Sequence, residues 1–209
     1  MTKVPPAVSS RPEAEAALVL LDACCLINLF ATGRTEEILQ ALSYRFAVAR
    51  YVVEEEVLEI DVEESDPTSA SGEGRVSLHP LLAELVEKGI LEQLDVDSEE
   101  ELGELLRFAA ELDDGEAHTC ALALVRGARV ATDDRKAIRV LRSAWKSHGQ
   151  QKEPVLRTSE LLFSWARTQG IGAPDLARHV RAIARRASYF PPKDDPHFKR
   201  WMELLERED

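Results

Sequence analysis

The sequence predicts a three-layer α/β/α sandwich: a central, mainly parallel sheet covered by helices on both faces, with a helical C-terminal extension. Three observations predict it. The short apolar runs AALVLL (16–21), FAVA (46–49) and ARVAT (128–132) read as strands buried on both faces, as in parallel sheets. Segments of helical period separate these runs almost throughout the 209 residues. Gly, Pro and Ser/Thr stand where one element should give way to the next.

In chain order, residues 1–16 carry three Pro and no periodicity, which predicts a loose N-terminal tail. The first strand ends at Asp22, and CLINLFATG predicts a short helix closed by Gly33. Thr35, followed by two acids, opens the helix TEEILQALS. After FAVA, the spacing Val53–Val57–Ile60 predicts a helix over 52–60. The polar stretch 61–77, with Pro67, Gly72 and Gly74, predicts an insertion loop. A helix over 79–89 begins near Pro80 and ends at Gly89, and ILEQLDV (90–96) alternates like a strand.

Ser98 with Glu101 forms a capping box for the next helix. A second helix starts in the DDGE turn (113–116) and closes at Gly127. RKAIRVLRSAWKS (135–147) is helical, and 154–157 predicts a strand leading to a helix capped by Thr158 or Ser159 and closed by Gly170. A basic helix then begins at Pro174, and a short helix follows near the C-terminus. The organisation expected is a tail (1–16), an α/β domain (17–165) and the helical extension (166–209).

The net charge is −12, which excludes a uniformly basic nucleic-acid-binding surface. The charge is uneven. Residues 1–116 hold 27 acids and 8 bases, and residues 117–209 hold 11 acids and 18 bases. An acidic pocket beside a basic flank suits a metal site that also holds a polyanion. No apolar run approaches the roughly 20 residues that span a bilayer, and the first residues lack the apolar core of a signal peptide. Three Cys argue against a disulfide framework. These features lead us to expect a soluble cytoplasmic protein with no membrane partner.

Ligand sites in parallel α/β sheets lie beyond the carboxyl ends of the strands. Acids cluster at those ends here. Asp22 ends the first strand, and Asp133 and Asp134 end ARVAT. Glu56 lies in the helix expected after FAVA, and Asp113, Asp114 and Glu116 lie where the DDGE turn enters a helix. No His or Cys joins them at metal-ligand spacing, and an all-oxygen set selects Mg²⁺ or Mn²⁺ over Zn²⁺. Clustered carboxylates repel one another, and a divalent ion relieves that repulsion. Such an ion also supports in-line attack on a phosphodiester.

VLLDACCLINLF, VVEEEV and LDDGEAHTCALALVRGARVATDD, in that order, resemble PIN domains, the ribonuclease fold of VapC-like toxins. The resemblance covers about residues 17–165 and includes the Leu-Asp-x-Gly-Glu turn of one subgroup, here Leu112 to Glu116. It implies a Mg²⁺- or Mn²⁺-dependent endoribonuclease with RNA as substrate, often paired with an antitoxin protein, and a homodimer is expected. In that reading Asp22, Glu56, Glu116 and Asp133 are the catalytic acids and hold the ion, with Asp113 and Asp134 in or near the same set. Thr132 orients a ligand or phosphate, and Arg181, Arg185 and Arg186 of the basic helix bind RNA. The choice among Asp113, Asp114 and Glu116, and between Asp133 and Asp134, stays open at this level. Two rivals are a PIN-fold protein that binds nucleic acid or a partner without cleaving, and another Mg²⁺-dependent phosphohydrolase. Cys24, Cys25 and Cys120 read as small buried residues, and Trp165, Trp201 and Phe198 as core or interface anchors.

Overall fold

A computed structural model describes residues 16–61 and 74–207. The expected 1–16 tail, apart from Ala16, and the middle of the 61–77 segment lie outside the described residues. Five parallel strands form the central sheet in the order β5-β2-β1-β6-β7. They are β1 (Ala17–Leu21), β2 (Tyr44–Ala49), β5 (Leu91–Leu94), β6 (Arg129–Ala131) and β7 (Val155–Leu156). In β1 and β2 the last three and four residues respectively are buried. This is why both runs are apolar without alternation.

Helices α1 (Ala23–Ala31) and α2 (Thr35–Ala41) connect β1 to β2, and α5 (Glu99–Ala109) and α6 (Asp114–Arg126) connect β5 to β6. A single helix, α7 (Arg135–Ser147), joins β6 to β7. Helix α6 packs across β1, β2 and β6 and against α5 and α7. Helices α1, α2 and α8 (Thr158–Gln169) pack together, and α9 (Ala173–Arg186) covers α1. The expected three-layer α/β sandwich is therefore the observed one. The C-terminal helices α9 and α10 (Phe198–Leu205) bury Leu176, Val180, Ile183, Trp201 and Leu204 in the same core.

Several boundaries follow from local chemistry. The Ser98 hydroxyl accepts from the Glu101 N–H at 3.1 Å, and the Glu101 carboxylate accepts from the Ser98 N–H at 3.2 Å, completing the capping box. The same carboxylate takes Arg126 Nε at 2.6 Å, which locks α5 to the last turn of α6. Gly127 and Gly170 close α6 and α8 at φ of +63° and +66°, a left-handed conformation that other residues adopt only with strain.

Two expectations are corrected. The helix read over 52–60 is only α3 (Arg50–Glu54), and Glu56 lies just beyond it. Val57 is 72% exposed, so it does not extend the apolar stripe begun at Val53. Ile60 instead belongs to β3 (Glu59–Asp61), which pairs antiparallel with β4 (Arg75–Ser77) at the two ends of the 61–77 segment. Thr158 and Ser159 do not cap α8, whose N-cap is Arg157. Their hydroxyls are drawn away by stronger acceptors: Thr158 donates to Asp133 at 2.5 Å and Ser159 to Asp195 at 2.9 Å. α4 (His79–Glu87) completes the β2-to-β5 connection.

The chain runs outward from β1 through β2 to β5, then returns to β6 on the other side of β1. The strand order therefore reverses between β1 and β6. A crevice forms at the carboxyl ends of strands at such a point, and Asp22 and the Thr132–Asp134 segment stand there.

Candidate functional site

Asp22 follows β1 and caps α1. Its Oδ1 accepts from the Ala23 N–H at 2.9 Å, and its Oδ2 accepts from the Thr132 hydroxyl at 2.8 Å and from the Cys24 thiol at 3.0 Å. The carboxylate is thus fixed in direction by donors from both strand ends. It is only 4% exposed, and burial pushes its pKa above the ordinary Asp value, against the pull of those donors.

Asp133 and Asp134 follow β6 in sequence and diverge in space. The Asp133 carboxylate turns toward α1, α8 and the C-terminal segment, where it accepts from Asn28 Nδ2 (3.1 Å), the Thr158 hydroxyl (2.5 Å) and the Tyr189 hydroxyl (2.8 Å). Asp134 takes the other direction. Its Oδ1 caps α7 by accepting from the N–H groups of Lys136 (2.7 Å) and Ala137 (2.8 Å). Its charge acts on Asp22 and on Glu116, raising the pKa of both. Of the two residues, Asp134 is the one whose charge acts on Asp22 and Glu116, and Asp133 sits in a structural network of hydroxyl and amide donors.

Glu56 reaches the first turn of α6. The Gly115 N–H donates to its carboxylate, and its pKa is raised by burial and then by the charges of Asp22, Asp113 and Asp114. A Cβ on Gly115 would come within 2.1 Å of Glu56 Oε1, so the glycine here supplies space and not conformation. Asp113 is the N-cap residue of α6 but makes no side-chain cap bond. Asp114 instead accepts from the Tyr51 hydroxyl at 3.2 Å.

Glu116 is pushed up to about 8 by burial, then by Asp134, Asp22 and Asp113, and by a hydrogen bond to the Asp113 carboxylate. Holding a proton on Glu116 is the usual answer to burial beside like charges. Asp22, Glu56, Asp113, Glu116 and Asp134 therefore form one electrostatic group drawn from four separate segments. His118, two residues on, stacks on Tyr51 with ring centroids 4.6 Å apart and bonds to Asp114 O at 2.7 Å.

Among the described residues, one group of three potential ligand atoms lies mutually within 4.8 Å: those of Cys24, Cys25 and Asp133. Softer metals require thiolates, and the fit is poor. Burial pushes the Cys25 thiol well above its ordinary pKa. The Cys24 thiol already donates to Asp22, and its sulfur accepts from the Asp133 N–H at 3.3 Å. The carboxylates offer only oxygen donors, the set a hard divalent cation takes, and burial followed by neighbouring negative charge raises the pKa of Asp22, Glu56 and Glu116. Among the described residues no three of them bring their oxygens within 4.8 Å of one another, so an ion would have to draw them together.

The arginines expected to bind RNA lie elsewhere. Arg186 donates to the carbonyl of Ala31, at the opposite end of α1 from Asp22, and to that of Asp61. Arg181 donates to Arg207 O at 2.8 Å, and Arg185 is exposed. Sequence reasoning missed Tyr189, Asn28 and Thr158 as partners of Asp133; only Asn28, a polar residue in an apolar helix run, carried a visible signal.

Among the described residues, no helix is long and apolar enough to cross a membrane. Comparison with protein-family models, with curated proteins and with solved structures finds no match for this chain.

Proposed function

We propose that the protein is a Mg²⁺- or Mn²⁺-dependent endoribonuclease of the PIN-like kind. The observation that carries this reading is the convergence of Asp22, Glu56, Asp113, Glu116 and Asp134 on the strand-order reversal between β1 and β6, where Glu116 is pushed up to about 8. Buried carboxylates that also feel one another's charge are costly to maintain, as the raised Asp22, Glu56 and Glu116 show, and relief by a cation gives the cost a use.

Asp22, Glu56, Glu116 and Asp134 would hold the ion, with Asp113 beside them. The bound ion supplies neutralisation of the scissile phosphate and a lowered pKa for an attacking water. The chain's own residues prepare that site. The Thr132 hydroxyl orients Asp22, and the Gly115 N–H orients Glu56. Glu116, pushed up to about 8, holds a proton that ion binding must displace. A single strand is the preferred substrate, because its splayed nucleotides can enter a crevice that a duplex cannot. The PIN resemblance extends the proposal to a homodimer and to an antitoxin protein that blocks the carboxylates.

The test is cleavage of an end-labelled single-stranded RNA. Cutting should require Mg²⁺ or Mn²⁺, stop in EDTA, and fail for Glu116→Gln with the fold intact. Full cutting in EDTA, or by Glu116→Gln, overturns the metal mechanism.

A further inference from the structure

Helix α7 starts at the candidate site, since the residue that caps it is Asp134. Its buried side is Ala137, Ile138, Leu141, Ala144 and Trp145. Its exposed side carries Arg135, Arg139, Arg142 and Lys146 at spacings of four, three and four, which form one stripe along a helix. At 1.5 Å per residue the stripe runs roughly 16 Å away from the carboxylates. These four cations, with Arg157 and Asp194, line a groove of about 490 Å³.

The cations are available. Arg142 pairs with Glu153 at 2.8 Å. Among the described residues, Arg135, Arg139 and Lys146 make no ion pair or side-chain hydrogen bond. Arg157 is different: its side chain is 11% exposed, and its buried Nη1 has no hydrogen-bond partner. Its nearest anions, Asp194 and Asp195, lie at 3.5 and 3.8 Å. Arg157 thus adds a fixed positive charge at the groove wall, and three exposed cations without ion pairs beside it fit a ligand with repeated anionic oxygens.

We propose that this groove binds the phosphate backbone of single-stranded RNA and leads it to the carboxylates. The inference rests on the ribonuclease reading for its choice of polyanion. Two features favour a linear nucleic acid over an acidic protein surface: the stripe is one cation wide, and it ends at acids suited to phosphodiester chemistry. Binding should be independent of sequence and strongly dependent on salt.

The test is fluorescence anisotropy of a labelled single-stranded oligoribonucleotide with the full chain in EDTA, where no cleavage intervenes, over a range of salt. Arg135→Gln/Arg139→Gln/Lys146→Gln removes three exposed charges with a good helix former, so the fold should persist. Binding should weaken roughly 10- to 100-fold at 0.1 M salt, and the log–log salt slope should flatten by about 2. The corresponding lysine variant, Arg135→Lys/Arg139→Lys, should keep the wild-type slope. Arg181→Gln/Arg185→Gln should bind within about twofold of wild type. Unchanged affinity and slope in the α7 variant, or a loss confined to the α9 variant, overturns the proposal. So does a wild-type protein that ignores RNA but captures poly-glutamate through α7. A protein that binds RNA through α7 and never cleaves it supports the groove while refuting the nuclease reading.

Discussion

Gly115 and Glu56 occupy the same space: a methyl group on the glycine would lie 2.1 Å from Glu56 Oε1. Gly115→Ala must therefore push the Glu56 carboxylate out of the first turn of α6. The displaced atoms are the far end of a flexible side chain, and alanine gains up to about 1 kcal/mol of helix propensity. We expect stability within about 1 kcal/mol of wild type by chemical denaturation, and at least a tenfold loss of metal-dependent cleavage. A variant with full activity would exclude Glu56 from the site.

Asp22→Asn removes one charge from the group at nearly constant shape. It also forfeits part of the contact with Thr132 and Cys24, at about 1 kcal/mol. Relief of repulsion offsets that loss, so the melting temperature without metal should stay within a few degrees of wild type. Cleavage should be abolished, and added Mg²⁺ should no longer raise the melting temperature. An unfolded variant would mark Asp22 as a residue of the fold only.

The two consecutive aspartates should separate cleanly. Asp134→Asn keeps an acceptor for the α7 cap, so stability should be near wild type while metal affinity falls at least tenfold by calorimetry. Asp133→Asn disturbs acceptors for Asn28, Thr158 and Tyr189 in a buried network, which should cost about 1–3 kcal/mol. The opposite pattern would reverse their roles.

Acid–base linkage gives a further check. The Glu116 carboxyl has its folded pKa raised to about 8 from an ordinary 4.5. A proton held more tightly in the folded state stabilises it fully below pH 4.5, and that contribution fades as pH rises to 8. Metal-free protein should therefore lose stability across this window, on the order of 2 kcal/mol once solvent screening is discounted. Mg²⁺ replaces the proton, so its stabilisation should be largest near pH 8. Melting curves at pH 5, 6.5 and 8, with and without Mg²⁺, measure both. A flat metal-free profile in Glu116→Gln, beside a sloping wild type, assigns the effect.

Much of the fold was legible because its signals are local. Ser98 and Glu101 satisfy each other's backbone within one turn, and Gly127 and Gly170 end helices through their own φ. Asp22 was legible as an acid closing an apolar run. What escaped was decided across the chain. Val53, Val57 and Ile60 match a helical period, yet Ile60 is claimed by pairing with Val76. The run Glu54–Glu56 holds no internal reason to select its third member; Gly115, 59 positions away, does so by leaving room. Asp133 and Asp134 are chemically identical, and only Thr158, Asn28 and Tyr189 draw one of them backward. The carbonyls of Ala31 and Asp61 that engage Arg186, on α9, likewise lie far away in the chain and cannot be seen in a sequence.

The Tyr189–Asp133 bond also bears on how far the chain could be shortened. Ending it at Gly170 would give a length closer to that of a minimal α/β domain, but would strip Asp133 of its 2.8 Å phenol donor. It would also uncover the face of α1 and α8 on which Leu176, Val180, Ile183, Trp201 and Leu204 are buried. At roughly 2 kcal/mol per buried side chain, that loss is comparable with the whole net stability of a domain this size. A truncated product should accumulate as aggregate, its newly bare apolar surface sticking to other copies faster than the sheet can close.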